Sequence, residues 1–317
     1  MFDPRARIFV AGHRGLVGSA IVRRLEAEGA DDLVLRTHAE LDLADAAAVD
    51  AFFASEQPQY VFLAAAKVGG ILANASAPAD FIHANLALQT HTIHSAWKHG
   101  VRKLLFLGSS CIYPRDCPQP IREQYLLSGP LEPSNEAYAV AKIAGIVQCQ
   151  SYRRQHGFDA ICAMPTNLYG PGDNYDLRTS HVLPALLRKM HEAKLRGDAT
   201  VTLWGSGTPR REFLHVDDLA DAVVHLMRQW SDERIVNIGT GEDLPIRALA
   251  ETIARIVGFE GGIVTDPSKP DGTPRKLLDV SRLSGSGWRA RISLEDGIAA
   301  TYQAFLRDGA GGAAAVS

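Results

Sequence analysis

Tyr138 and Lys142 stand four residues apart in a helical stretch, which places them on one face about one turn apart. Upstream, Ser109 and Cys111 follow the apolar run Leu104-Leu105-Phe106-Leu107, two residues from each other. A serine hydroxyl and a phenol aimed at one carbonyl oxygen can hold the charge that develops there and supply its proton. A phenol ordinarily titrates near ~10, so it needs a neighbouring cation such as Lys142 to release a proton at neutral pH. A thiol titrates near ~8.5 and serves as a base only with similar help. Each residue also has a bland reading. Tyr and Lys four apart occur on ordinary helix faces, and a cysteine after a strand is often core filler.

The elements around these residues decide between the readings. Residues 7–11 form a short apolar strand, and 19–28 fit an amphipathic helix. Between them runs Gly12-His13-Arg14-Gly15-Leu16-Val17-Gly18. Glycines there permit a tight turn and let backbone approach a pyrophosphate, which the free N–H groups of the helix start would bind. Further strands are expected at 32–36, 60–65, 104–107 and 160–164, with helical stretches at 79–99 and 135–156. This alternation predicts an α/β fold, a Rossmann-type doubly wound parallel sheet. Ligands bind such sheets at the carboxyl ends of the strands, where Ser109 and Cys111 fall. After Asn167 the pattern loosens, and Pro and Gly cluster at 169–172, 204–209 and 267–274. A smaller, discontinuous, loop-rich α+β substrate domain is expected there. A helix at 216–227 and a strand at 235–238 return to the first domain. The expected division is 1–167 with 213–242 for the dinucleotide, and 168–212 with 243–317 for the substrate. The Gly/Ala-rich end, 309–317, is expected to fray.

The second strand ends Leu35-Arg36-Thr37-His38, without the acid that an NAD site places on the ribose. Arg36 and Arg14 would instead pair with a 2′-phosphate, which predicts NADPH in preference to NADH. The competing reading is that both arginines are solvated surface. A cationic nicotinamide would add to the effect of Lys142 on the phenol.

Composition removes several other classes. The chain has 317 residues, 46% hydrophobic, enough for one large or two smaller domains. A net charge of -3 gives no global attraction to nucleic acid or to an anionic membrane. No signal-peptide core or membrane-spanning run is visible. Cys111, Cys117, Cys149 and Cys162 make neither a disulfide framework nor a zinc-type spacing, so no metal is expected and a reducing cytoplasm is the default.

On these motifs the chain resembles the extended short-chain dehydrogenase/reductases. The residues that carry the resemblance lie in the glycine loop, in 64–70, in Gly108 to Pro114, in 135–142, in 164–171, in 204–213 and in 269–276. The glycine loop and the Tyr-Lys pair mark the superfamily. The Ser-Ser-Cys run and the later segments are more similar to the branch that epimerises GDP-4-keto-6-deoxy-D-mannose at C3 and C5 and then reduces C4 with NADPH. That resemblance implies catalysis by Ser109, Cys111, Tyr138, Lys142 and His181, with Cys111 as epimerisation base and His181 as its partner acid. It implies cofactor contacts from the whole glycine loop (Gly12, His13, Arg14, Gly15, Leu16, Val17 and Gly18) and from Arg36 and His38. Further cofactor contacts are implied at the strand ends, from Ala64, Ala65, Leu107 and Gly108, then Pro165, Thr166, Asn167 and Leu168, together with Lys142 and His181. Substrate contacts are implied for Ser109, Lys189, Trp204, Arg211 and Asp271. Relatives often carry arginine where Lys189 stands, and can carry it where His38 stands. A homodimer built through the helices near 79–99 and 137–156 is implied by analogy. The alternatives left open are another nucleotide-sugar 4-reductase, a 4-epimerase, a 4,6-dehydratase, and a cofactor-binding protein without catalysis. A dehydratase would carry an Asp-Glu pair where Ser110 and Cys111 stand. The Tyr113-Pro114 end of the run is read as structural.

Overall fold

The first strand, β1 (Ile8–Ala11), is buried at every position and feeds α1 (Leu16–Ala27) through the glycine loop. The structure, a computed structural model, describes residues 2–269 and 271–308. The expected fraying of 309–317 lies outside them. The chain continues through β2 (Leu33–Val34), α2 (Ala46–Glu56), β3 (Tyr60–Leu63), α3 (Ile71–Ser76), α4 (Pro78–Lys98), β4 (Lys103–Leu107), α5 (Glu136–His156) and β5 (Asp159–Pro165). Next come β6 (Asn167–Tyr169), α6 (Val182–Arg196), β7 (Thr200–Trp204), β8 (Arg210–Arg211), β9 (Phe213–His215), α7 (Val216–Gln229) and β10 (Val236–Ile238). It ends with β11 (Leu244–Pro245), α8 (Ile246–Val257), β12 (Gly262–Asp266), β13 (Arg275–Lys276), α9 (Ser281–Gly285) and α10 (Leu294–Arg307).

Among the described residues the main sheet runs β10-β5-β4-β3-β1-β2, and every pairing in it is parallel. The chain leaves β1 for β2 on one side, then crosses to β3 on the other. The crevice at this reversal is where a doubly wound sheet binds ligands. The registers Ala11↔Leu63 and Leu107↔Ala163 bring Gly12, Ala64 and Gly108 to one edge of the sheet. Strand side chains alternate between faces. Phe9 packs with Phe52, Phe53, Ile93 and Ile146 from α2, α4 and α5, whereas Ile8 and Val10 pack with Ile21, Leu25 and Val223 from α1 and α7. With both faces covered, the strands read as unbroken apolar runs.

A third core joins α6, α8, α10 and β7 through Leu187, Met190, Ile253, Ile298, Phe305 and Val201. The second region is therefore built on three helices, and the loop-rich expectation is corrected. Proline and glycine mark its connections, while α8 and α10 carry the regular apolar face that packs it. Helix α2 is also absent from the sequence reading, because its run Ala46-Ala47-Ala48-Val49-Asp50-Ala51 shows little periodicity. Its local signal is Asp45, whose carboxylate accepts the N–H groups of Ala47 and Ala48 at 2.9 and 3.0 Å. Strand β2 is shorter than expected, since only Leu33 and Val34 pair with β1. Tyr113 is structural as expected: its buried hydroxyl donates to Asn237 Oδ1 at 2.5 Å. Among the described residues, no helix is long and apolar enough to cross a membrane.

Candidate active site

The glycine loop has the shape a pyrophosphate requires. Gly12 adopts φ +81°, and a Cβ there would lie 2.8 Å from the backbone of Ala65. A Cβ on Gly18 would lie 2.0 Å from the carbonyl oxygen of Gly12, so only glycine lets α1 start this close to the turn. Gly15 is different: its Cβ would meet nothing nearer than 3.5 Å. The protein does not need a glycine at that position, but an anion approaching the backbone does. No side chain caps α1 at Gly15, which leaves the first N–H groups of Leu16 and Val17 for a ligand. His13 Nδ1 is buried without a partner beside this turn. The residues present therefore fit a dinucleotide pyrophosphate.

Strand ends complete the cleft. Ala64 N donates to Ala11 O at 3.1 Å, Gly108 N to Ala163 O at 2.9 Å, and Thr166 N to Ile238 O at 2.9 Å. Pro165 closes β5 opposite Ile238, and Leu168 pairs with Leu214 across β6 and β9. Asn167 Nδ2 and Thr166 Oγ1 both donate to the carbonyl of Glu212, at 2.8 and 3.3 Å. At the end of β2, Arg36 Nη1 donates to Leu35 O at 2.9 Å and Nη2 to Glu56 Oε1 at 2.5 Å. Its guanidinium is thus already shared with a carboxylate. Arg14 is exposed, and His38, two-thirds exposed, lies 3.7 Å from Asp42.

The reductive residues come from two elements pressed together. A Cβ on Gly145 of α5 would lie 2.5 Å from the Phe106 ring of β4, so glycine allows this contact. Gln89 of α4 fixes the same helix by donating to Ala141 O at 2.5 Å. Lys142 is thereby buried, with Nζ donating to Leu107 O at 2.9 Å and lying 5.9 Å from the centroid of the Tyr138 ring. Burial lowers its pKa to about 8. Tyr138 moves the other way. Burial raises the phenol, the nearby Cys111 raises it further, and the hydrogen bond with Ser109 pulls it back only in part. The expected lowering is therefore absent from the protein's own field. A phenol held protonated is what a proton donor in a reduction requires. Ser109 begins a single turn of 3-10 helix, Ser110–Ile112, and its Oγ accepts from Cys111 N at 3.2 Å.

The thiol end of the cleft draws on the second region. Lys276 Nζ lies 3.7 Å from Cys111 Sγ, a contact the sequence reading missed. Lys276 on β13 is in register with Arg211 on β8, so the two cations are neighbours. Burial lowers the pKa of Arg211, against the opposing pull of Cys111 and Asp271. His181 is the residue before α6. The residue is exposed, yet surrounding protein desolvates its ring and lowers its pKa. Gly70 N donates to Thr179 O at 3.0 Å, which ties the 64–70 segment to the loop that presents His181.

Beyond the thiol, Trp204 presents a ring that is about half exposed, with Lys189 Nζ 5.0 Å and Lys269 Nζ 5.6 Å from its centroid. Asp271 already has a task. Its Oδ1 accepts Ser206 N at 2.6 Å and its Oδ2 accepts Ser206 Oγ at 2.8 Å, which pins the turn after Trp204. These contacts fix the carboxylate beside Trp204 and leave it lone pairs for further donors. Glu212, fully buried, was also not singled out. It accepts Gly241 N at 2.7 Å and Leu278 N at 3.0 Å, and so fixes β8 and the approach to β13. A buried acid beside Arg211 in a Pro/Gly-rich segment was the available signal.

The model of the NAD dependent epimerase/dehydratase family matches residues 8–239. GDP-L-fucose synthase 1 of Arabidopsis thaliana is 61% identical over 308 residues, covering 97% of this chain and 95% of that protein. GDP-L-fucose synthase of Escherichia coli strain K12 is 57% identical over 313 residues, covering 96% and 98%. The structure of a GDP-L-fucose synthetase from Naegleria fowleri bound to NADP superposes with a TM-score of 0.89 at 29% identity, covering 97% of this chain and 96% of that one.

Proposed function

The chain belongs to the NAD dependent epimerase/dehydratase family, and we propose that within it the protein converts GDP-4-keto-6-deoxy-D-mannose to GDP-L-fucose with NADPH. The carrying observation is a thiol next to the Ser109–Tyr138 pair with an ammonium 3.7 Å from its sulfur. A simple 4-reductase needs the pair but not the thiol.

The C4 ketone acidifies the protons on C3 and C5. Cys111 removes each in turn, and each time His181 returns a proton to that carbon from the opposite face of the ring. The enolate places its charge on the C4 oxygen, where Ser109 and Tyr138 donate hydrogen bonds. NADPH supplies the hydride for the final step. As C4 is reduced, Tyr138 gives its proton to the same oxygen, with Lys142 beneath it supplying positive potential. One oxyanion site thus serves two proton abstractions and one reduction. The α1 start and the strand-end residues hold the dinucleotide, with Arg14, Arg36 and His38 near its 2′-phosphate. Lys189, Trp204, Arg211 and Asp271 receive the nucleotide-sugar, with Asp271 accepting sugar or ribose hydroxyls.

The same reading divides the chain into a dinucleotide domain, 1–167 with 213–242, and a substrate domain, 168–212 with 243–317. It also places the enzyme in the cytoplasm as a homodimer through α4 and α5. The reading is tested by incubating enzyme, GDP-4-keto-6-deoxy-D-mannose and NADPH in deuterated water. Oxidation of NADPH with deuterium at C3 and C5 is expected, and Cys111→Ser should lose the exchange. Reduction without exchange in the wild type would leave a 4-reductase, and full exchange in Cys111→Ser would reject the base assignment.

A further inference from the structure

We propose that Lys276 is the positioning residue that holds the Cys111 sulfur by direct contact and supports its thiolate as a reactive group. The proposal rests on the reading of Cys111 as a base, but its test needs no substrate. The geometry is specific. Lys276 Nζ points at Cys111 Sγ across 3.7 Å, from a strand 165 residues away in sequence. That strand is short but well held. Arg275 and Lys276 pair in parallel with Arg210 and Arg211, Leu277 N donates to Gln119 Oε1 at 2.9 Å, and Leu278 N donates to Glu212 Oε2 at 3.0 Å. The last two contacts fix the residues that follow Lys276, so the ammonium is delivered to one place.

Among the described residues, Lys276 on β13, Arg211 on β8 and Tyr138 on α5 each interact with Cys111. Two are cations. The third is a phenol that burial keeps protonated. A thiolate formed there meets no opposing charge from these neighbours, and hydrogen-bond contact from an ammonium favours the charged form. Arg211 spends one guanidinium nitrogen on its neighbour, Nη1 donating to Arg210 O at 2.8 Å. Lys276 is the cation in contact with the sulfur.

The arrangement also orders the chemistry. The thiolate takes a proton from C3 or C5 and becomes a neutral thiol, so the lysine loses its anionic partner at the moment the enolate forms. Proton transfer to His181 or to solvent restores the pair. No net electron change occurs in either epimerisation: one proton passes from carbon to sulfur, and one returns to the same carbon from His181.

The test is alkylation of Cys111 by iodoacetamide in the intact protein without substrate, followed by peptide mass analysis that separates Cys111 from Cys117, Cys149 and Cys162. Lys276→Met should slow alkylation of Cys111 at pH 7 about tenfold or more, and Lys276→Arg should restore most of the rate. NADPH binding, read by nicotinamide fluorescence, should be unchanged in both variants and so controls for folding. Alkylation of Cys111 at the wild-type rate in folded Lys276→Met would overturn the proposal. If Cys111→Ser retains full C3/C5 exchange while Lys276→Met slows alkylation, the thiolate pair stands and the base assignment alone fails.

Discussion

The two ends of the catalytic cleft are held by different means. The reductive end, Ser109, Tyr138 and Lys142, comes from the tip of one buried strand and one long helix packed against it. The thiol end, Cys111, His181, Arg211 and Lys276, comes from a one-turn helix, the residue before α6 and two strands of two residues each. The reductive end is rigid because regular elements fix it on both sides. The thiol end is fixed by single contacts between segments distant in sequence, such as Glu212 with Gly241 and Leu278. A hydride transfer depends on one aligned oxygen and one carbon. Two epimerisations must reach two carbons of the same ring.

The comparison is broken most severely at Tyr138. Tyr138→Phe removes the proton donor, so hydride transfer should fall by about 10² to 10⁴. Exchange at C3 and C5 should survive at a reduced rate, because Ser109 still holds the enolate oxygen. The measurement is NADPH oxidation beside deuterium incorporation in one reaction. Equal loss of both would mean that the two ends do not act separately.

That separation also explains what the sequence could show. Tyr138 and Lys142 are one helical turn apart, and Ser109 follows a buried apolar run, so local periodicity suffices to find them. The glycine loop is equally local, and the parallel sheet follows from strands alternating with helices. Lys276 meets Cys111 only because β13 lies beside β8, a pairing between two-residue strands that no periodicity reveals. The job of Asp271 is hidden for the same reason: its partner Ser206 is 65 residues away. Helix α2 escaped because an alanine-rich run buries its few large side chains without a clear stripe. Residue chemistry also left out the depth of burial at Tyr138, which in the protein's own field raises the phenol.

Lys142 sharpens the contrast through pH. Burial disfavours its ammonium, which places its pKa at about 8, below the ordinary lysine value. It is charged below that pH and neutral above it. The hydride step should therefore hold a plateau below pH 8 and decline above it, in single-turnover measurements of NADPH oxidation. Lys142→Arg should flatten the decline, because a guanidinium stays charged. With Cys111 as the proposed base, exchange at C3 and C5 should not fall in parallel.

The smallest effect is expected at the far end of the cofactor cleft, where Arg36 is already bonded to Glu56 and to Leu35 O. A guanidinium shared in this way has less to give a 2′-phosphate than a free one. Its net contribution should be about 1 kcal/mol, or about fivefold in affinity. Arg36→Ala should raise the KM for NADPH by that factor and leave the KM for NADH unchanged. Glu56→Gln should act in the opposite direction, because it removes the competing negative charge from Arg36. Glu56 also pairs with Arg7, so thermal unfolding should accompany the kinetics to separate loss of that contact from a change in cofactor choice. A preference for NADPH that ignores both substitutions would place Arg36 among the surface ion pairs and move the recognition to Arg14, which is exposed at the mouth of the glycine loop.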